Sequence, residues 1–536
     1  MTPAYPLISD YATHFALVAP DREAVIFGEQ RLTYPELSAQ IEHCARALLA
    51  AGIKKGDRVA TLCNPSIDYW VIFLATTSIG AVWLGVNPKY KLAECRYVLE
   101  DAKPKLLFVK PACEGRSSQD MVSAVQQDYP FIEQVVSLPE PTNSVSLSGT
   151  QPLSAFLSSG DSVSDQTLQQ RQADTDRMDP ALLVYTSGST GKPKGALLSH
   201  YGLCFGAEVQ NKHYQLKTPK VVCNFPINHV ACVADTCCVN LVAGGTLVFQ
   251  ERFDPAQMLR AIEQERLTIV GGVPTMLLML LEHPNFEHTD FSSVEMILWG
   301  GAALPLPTIK RLQKLAPRLM NVYGMTETAA NTTYTSPDAD LEELSETIGR
   351  PSPHMPCRIM DTEGNKCSVG EEGELQFKGD YLLLEYLNRP EATRDVYTKD
   401  GWLHTGDVGY WRDNGTISLV GRMSDMFKSG GYNVYPREIE LLLETHPAID
   451  MAAVVGVPDD RFQEVGAAFV QLKAGQRESA ESLKTWCSDK LANYKVPKHI
   501  FIKESLPRLP VGKVDKVALK NSLTTSTKPT PQTVNE

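Results

Sequence analysis

Residues 185–195 read Y-T-S-G-S-T-G-K-P-K-G, with three glycines, four Ser/Thr hydroxyls and two lysines in eleven positions, directly after the apolar run 181–184. A short buried strand that opens into such a loop suits phosphate. Glycines admit left-handed backbone and let N–H groups approach, hydroxyls donate, and lysines neutralise charge. The string is not a Walker A loop, because Lys192 is followed by Pro193 and Thr186 stands where that pattern needs glycine. Pro193 and two lysines also fit a flexible linker poorly.

Four further strings carry polar chemistry. Thr405-Gly406-Asp407 ends in a carboxylate on a tight turn. Such a group suits the vicinal hydroxyls of a ribose, or, taken singly, its own turn backbone. Tyr323-Gly324-Met325-Thr326-Glu327-Thr328 sets an aromatic face, a glycine and a carboxylate at a strand end. These groups could stack on a base and hold a metal ion; alone, the string is also an ordinary strand exit. Ser429-Gly430-Gly431-Tyr432-Asn433 is a second glycine-rich loop, and residues 510–516 place Lys513 on a Gly512 turn, where a lone lysine also reads as a solvated charge.

These strings need a scaffold, and 536 residues exceed one hydrophobic core, so a large body and a smaller domain are expected. Thr33-Tyr34-Pro35-Glu36 is a capping box, with Leu37, Ile41, Cys44 and Leu48 at helical spacing behind it. Strands at 59–63, 81–86 and 105–109 alternate with helical segments, which predicts an α/β domain with largely parallel sheets. Residues 144–176, rich in Ser, Gln and Asp, read mostly as a surface excursion. The alternation resumes through strands at 221–225, 246–249, 268–271, 294–299 and 318–322. Beyond Ile348, glycine-punctuated short segments suggest a small β subdomain, followed by a compact α+β unit. The expected division is 1–422, 423–521 and a disordered polar tail at 522–536.

The net charge of −12 argues against a nucleic-acid partner. The first twenty residues lack the basic-then-apolar pattern of a leader, and the longest apolar run, 71–86, is interrupted and short for a membrane span. Twelve cysteines include no C-x-x-C pair, and eleven histidines show no ligand spacing. Cysteine therefore reads as small core filler in a reducing, cytoplasmic setting.

Together the strings resemble the adenylate-forming superfamily of acyl-CoA synthetases, luciferases and peptide-synthetase adenylation domains. The resemblance rests on 186–195, 323–328, 405–407, 421–425, 430–436 and 510–516, in the family's order, and spans about 37 to 516. It implies ATP, Mg²⁺ and coenzyme A as cofactors and a small-molecule carboxylic acid as substrate, and it leaves a homodimer open. By this resemblance Thr186, Ser187, Gly188, Ser189, Thr190, Gly191 and Lys194 belong to a mobile loop over the β- and γ-phosphates. Gly301, Ala302 and Ala303 line the adenine, Tyr323 stacks on it beside Gly324, and Thr326 and Glu327 contact the α-phosphate and Mg²⁺. Asp407 and Arg422 take the ribose hydroxyls, and Lys513 bridges the substrate carboxylate and the α-phosphate. The C-terminal domain is implied to turn about Ser424, where many relatives carry Asp or Lys. One face presents Lys513 for adenylation. The other presents Gly430 and Gly431, which leave room for the pantetheine thread of CoA.

The string 427–436 looks like the acyl-CoA and aryl-CoA ligase version of its motif. Pro226-Ile227-Asn228-His229 matches the family's Pro-x-x-His, whose histidine lies beside the acyl carboxylate; a plain strand-end hydrogen bonder is the other reading of His229. The implied acyl pocket draws on His229, Val230, Ala231, Trp299, Gly300, Gly324 and Ala329, mostly small and apolar, with no Lys or Arg to pair a second carboxylate. That favours an apolar monocarboxylate, whether medium-chain, alicyclic or aromatic. The rival readings are an acyl-AMP ligase that loads a carrier protein and a nucleotide-binding module without turnover.

Overall fold

The computed structural model describes residues 3–113, 115–139, 147–186, 193–430, 432–508 and 514–525. Packing divides the chain into two compact units, Met1–Pro356 with Phe377–Leu403, and Cys357–Gln376 with His404–Glu536.

The first unit is built on two sheets. One has nine strands, and its interior is parallel: Arg318–Gly324 pairs with Met296–Gly300, which pairs with Ile269–Gly272, then Lys220–Cys223, Thr246–Phe249 and Glu23–Phe27. The other has eight strands, and its parallel run is Pro180–Thr186, Val82–Val86, Arg58–Leu62, Leu106–Val109 and Gln134–Ser137. Every residue of Val82–Val86 and Leu106–Val109 is buried, as expected of strands covered on both faces. The helix Tyr34–Ala50 begins on its capping box: Thr33 donates to Glu36 Oε2 through its amide at 2.7 Å and its hydroxyl at 2.8 Å. Leu37, Ile41, Cys44 and Leu48 form its buried stripe. The expected α/β alternation is present, with boundaries displaced by at most three residues.

Two expectations need correction, and one helix had no counterpart in the sequence reading. Residues 144–176 are not mostly an excursion, because the described part holds helices Leu153–Ser158 and Asp165–Ala173. Single apolar anchors hold it down: Phe156 is buried with its ring 5.3 Å from that of Phe108, and Leu168 is buried as well. The helix His200–Tyr214 carries glycines that hide it from a propensity reading, but they serve packing. A Cβ on Gly206 would lie 2.6 Å from Ala330 Cβ. Finally, the helix Lys516–Thr525 runs into the expected tail, because Leu519 is buried with Ala453, Val455 and Phe469.

The second unit contains a four-stranded sheet of Cys357–Met360, Gly373–Phe377, Leu403–Trp411 and Ile417–Arg422. It also contains the expected α+β fold, in which the antiparallel strands Ile449–Asp459 and Gln463–Leu472 are packed by helices Pro436–Glu444 and Ala480–Ser488. Among the described residues, no helix is long and apolar enough to cross a membrane.

Candidate active site

In the first unit the phosphate-loop string leaves a hairpin. Pro180–Thr186 pairs antiparallel with Lys194–Ser199, and Thr186 is in register with Lys194. Residues 187–192, including Ser187, Gly188, Ser189, Thr190 and Gly191, lie outside the described residues. The hairpin's flank is anchored by Tyr185, whose hydroxyl donates to Asp101 Oδ2 at 2.8 Å, and by Tyr97, whose hydroxyl donates to the Pro193 carbonyl at 2.7 Å.

The base of this loop and the Glu327 turn come together. Lys194 Nζ stands 4.6 Å from the centre of the Tyr386 ring, and the Tyr386 hydroxyl donates to Glu327 Oε1 at 2.6 Å. Tyr386 is on Glu385–Tyr386, paired with the same hairpin. Burial and the Glu327 carboxylate push the Tyr386 phenol well above its ordinary pKa, so it remains a donor at neutral pH. Thr326 and Glu327 are buried on the short turn Thr326–Thr328, which Thr328 Oγ1 closes by accepting from the Met325 amide at 3.0 Å. The turn ends at Ala329, whose φ of +53° is unusual for a residue with a side chain.

Tyr323 and Gly324 end the strand Arg318–Gly324. A Cβ on Gly324 would lie 2.7 Å from the Ala330 carbonyl oxygen, so glycine is required by the close return of the chain. Gly301, Ala302 and Gly324 are exposed, Ala303, Tyr323 and Gly300 half-buried, leaving backbone accessible at the ends of neighbouring parallel strands. Ligands of open α/β sheets settle at such strand ends. Trp299, expected in the acyl pocket, is fully buried in the core with Val222, Val248 and Ile297.

His229 caps the helical turn Val230–Cys232. Its Nδ1 accepts from the Ala231 amide at 3.1 Å, so in the neutral ring the proton is on Nε2. The strand-end hydrogen bond therefore exists, and it orients the ring rather than excluding a role for Nε2. Gly85 lets the segment sit close: a Cβ there would come 2.5 Å from the Ile227 carbonyl oxygen. Val230 and Ala329 are buried and Ala231 is half-buried.

In the second unit, Asp407 and Arg422 face each other across the strands Leu403–Trp411 and Ile417–Arg422, with Arg422 Nε 2.9 Å from Asp407 Oδ1. Asp407 is buried and Arg422 half-exposed, so the carboxylate is held in place while the guanidinium edge stays accessible. Ser424 Oγ donates to Asp425 Oδ1 at 3.2 Å, and Asp425 is paired with Lys516 at 3.4 Å. Gly430 has φ +58° and donates its amide to the Phe462 carbonyl at 2.9 Å. Gly431 and Lys513 lie outside the described residues. Next to Lys513, Val514 bridges to Arg508, and the Asp515 amide donates to the Pro507 carbonyl at 2.8 Å.

Besides Tyr386, two features were not read from the sequence. Cys223, Cys232 and Cys237 bring their sulfurs within 4.8 Å of one another, and the Tyr69 hydroxyl lies 2.9 Å from Cys237 Sγ. Their positions at a strand end and on two helical turns carry no recognisable spacing. The other is Asp235, the single acid in the mostly apolar stretch 230–239. Burial raises its carboxyl from 3.8 to about 7, and the Gln210 side chain beside it pulls the other way. The folded protein therefore holds this proton more tightly than the unfolded chain. Below about pH 4 both states are protonated and no penalty exists; the penalty grows as pH rises and is complete above about pH 7. Asp235→Asn should thus raise the melting temperature near neutral and alkaline pH and leave it nearly unchanged in acid, with an upper bound of about 4 kcal/mol. Melting curves across that range check it, and an equal shift at both ends contradicts it.

The AMP-binding enzyme profile matches residues 13–387, and the AMP-binding enzyme C-terminal domain profile matches 438–513. The chain belongs to the AMP-binding enzyme family, within the adenylate-forming superfamily. It is 33% identical over 502 residues to a feruloyl-CoA synthase of Amycolatopsis sp, covering 93% of this chain and 95% of that one. It is 33% identical over 532 residues to the mitochondrial medium-chain acyl-CoA ligase ACSF2 of Homo sapiens, covering 94% and 85%. The ATP-bound crystal structure of MatB from Rhodopseudomonas palustris superposes with a TM-score of 0.83 at 28% identity, covering 97% of this chain and 100% of that one.

Proposed function

We propose that the chain is an AMP-forming carboxylic acid–CoA ligase. A carboxylate and ATP give an acyl-adenylate and pyrophosphate; the CoA thiol then attacks the acyl carbon, giving acyl-CoA and AMP. The observation that carries this reading is the convergence of the phosphate-loop hairpin, Lys194, Tyr386 and buried Glu327 at one sheet end.

The chemistry follows from charge. The attacking carboxylate and the α-phosphate are both anions, so repulsion and charge build-up at the five-coordinate phosphorus dominate the barrier. The Thr326 hydroxyl and the Glu327 carboxylate are hard oxygen donors that fit Mg²⁺, which supplies neutralising charge when bound. Lys194 and the loop carry the β- and γ-phosphates, His229 orients the acid, and Tyr323 stacks on the adenine with Gly301, Ala302 and Ala303. Asp407 and Arg422 hold the ribose, Lys513 offsets charge at the reacting phosphorus, and Gly430 and Gly431 admit the CoA thread. A division at Arg422 with a hinge at Ser424 fits this two-step use of the C-terminal residues. The pocket residues Val230, Ala231, Gly300 and Ala329 favour a largely apolar acid. None of the twelve cysteines, all among the described residues, is in a disulfide, which supports a reducing cytoplasmic setting; a homodimer is compatible with this reading.

Pyrophosphate release from ATP over a panel of carboxylic acids, with and without CoA, tests the proposal. CoA-dependent AMP release with one class of acids is expected. Turnover on no acid refutes the enzyme reading, and adenylate formation without thioester favours the carrier-protein alternative.

A further inference from the structure

The helix after His229 widens where it carries two cysteines. It is α-helical over Val230–Cys232, π-helical over Val233–Cys238, and α-helical again over Val239–Val242. Residues five apart lie about 140° apart around an α-helix and face different sides. In a π-helix, whose hydrogen bonds run between i and i+5, they come about one turn apart on the same side. Cys232 and Cys237 are such a pair. Thr236 Oγ1 adds a tie across the widened turn by donating to the Ala231 carbonyl at 2.7 Å. Turns of this kind are rare and recur at functional sites.

A third sulfur meets them from the sheet. Cys223 ends the strand Lys220–Cys223, with its Sγ 3.4 Å from Cys232 Sγ and 3.5 Å from Cys237 Sγ. All three sulfurs lie within 4.8 Å of one another, and all three side chains are fully buried. Three thiolates around one ion, at a metal–sulfur distance of about 2.3 Å, stand about 3.8–4.0 Å apart. The sulfurs reach that triangle by shifts of less than an ångström. A disulfide asks for more, since two sulfurs 3.4 Å apart must close to about 2.05 Å and the third is left over. Hydrogen-bond donors also point at the cluster. The Tyr69 hydroxyl, on the helix Ile67–Ser78, lies 2.9 Å from Cys237 Sγ and 3.3 Å from Cys232 Sγ, and the Phe225 amide donates to Cys223. Donors beside sulfur favour the thiolate that a metal requires and orient it as a ligand.

We propose that Cys223, Cys232 and Cys237 form a structural site for a thiophilic closed-shell cation, Cu(I) or Zn²⁺, which they bind as thiolates with release of their protons. Without the ion they remain neutral thiols, because an unpaired charge buried at this depth is costly. The class of ion follows from the ligands. They are all sulfur, and among the described residues no further Cys, His, Asp or Glu ligand atom lies within reach of all three. Soft thiolates select Cu(I) and zinc over the hard cations. Cu(I) accepts three sulfurs as they stand, whereas Zn²⁺, four-coordinate in structural sites, would take the Tyr69 oxygen as its fourth ligand. The closed, apolar surroundings fit a structural role, with the Tyr69 ring 5.5 Å from that of Phe249 and 6.0 Å from that of Trp83. An ion joining Cys223 to Cys232 would staple residues 224–231, the segment that carries His229. The inference does not depend on the ligase reading.

The test supplies Cu(I) or Zn²⁺ to the full-length protein in two ways, under reductant and without oxygen. The ion is added to the culture in which the chain is made, so that it is present as the site closes, and it is titrated into the folded protein. After desalting against a competing chelator, the wild type should retain about one equivalent of one of the two ions. Its X-ray absorption should show a shell dominated by sulfur at about 2.3 Å, and its melting temperature should rise with occupancy. Whichever ion is retained identifies the occupant. Cys232→Ser and Cys237→Ser should each lose the retained ion, while Cys487→Ser, a buried cysteine far along the chain, should keep it. The wild-type measurements need no variant, so a folding defect leaves the proposal falsifiable. Retention of neither ion by either route overturns the site and leaves three thiols that only fill the core. A shell dominated by nitrogen or oxygen overturns it as well. So does retention that survives Cys232→Ser and Cys237→Ser, which would place the ion on the other cysteines.

Discussion

Lys513→Ala should lose acyl-adenylate formation by about 10²–10³-fold while retaining thioester formation from supplied acyl-adenylate and CoA. The two halves of the reaction place different demands on charge. In the first, a carboxylate approaches an anionic phosphate, and negative charge accumulates as the new P–O bond forms. A cation placed where that charge develops contributes about 3–4 kcal/mol to the transition state and little to the ground state, so kcat falls more than KM rises. In the second half the mixed anhydride already exists, and its adenylate is a good leaving group that a thiol displaces without a new anionic phosphorus centre. Lys513 has no comparable part there. Pyrophosphate exchange measures the first half alone, and thioester appearance from synthetic acyl-adenylate measures the second. Equal losses in both assays contradict the assignment of Lys513 to adenylation and the two-face account of the C-terminal unit.

Part of the candidate site's scaffold was legible because its residues must be of particular types at particular places along the chain. Gly324 cannot carry a side chain where the chain returns within 2.7 Å, and Thr186 and Lys194 flank the loop of a hairpin whose first strand carries the apolar run 181–184. Local pattern is enough to find such residues. Tyr386 was not legible. It reaches Glu327 across 59 residues, and nothing in its own neighbourhood of the sequence marks it as a partner. Asp235 and Gln210 likewise lie on separate helices, and Asn331 and Tyr214 orient the Gln210 amide from two more positions. The glycines of the helix His200–Tyr214 point the same way. Read locally they argue against a helix, and only the approach of Ala330 explains Gly206. Local propensity is overridden where a tertiary contact demands a small residue.

Glu327→Gln should lower the rate of adenylation by about 10²-fold or more and raise the Mg²⁺ concentration needed for half-maximal rate. The substitution preserves size, and the glutamine carbonyl can still accept from the Tyr386 hydroxyl at the 2.6 Å position, so the buried turn Thr326–Thr328 keeps its packing. What is lost is the formal charge, which a hard divalent cation requires more than it requires shape. Tyr386→Phe makes the complementary change, keeping the charge and removing the hydrogen bond that fixes Oε1. Its expected cost is smaller, within about tenfold, because a neutral donor contributes about 1 kcal/mol to orientation. If Tyr386 acts through Glu327, the two effects do not add. The double variant should then be no slower than Glu327→Gln alone, and a Mg²⁺ titration of all four proteins reads the coupling directly. Additive losses would mean that the Tyr386 hydroxyl serves the reaction by a route other than Glu327; the ring face beside the Lys194 ammonium, 4.6 Å away, is a separate route that phenylalanine keeps. Lys194→Met in the Tyr386→Phe background separates that route, since an effect carried by the ring face survives loss of the hydroxyl, whereas an effect carried through Glu327 does not.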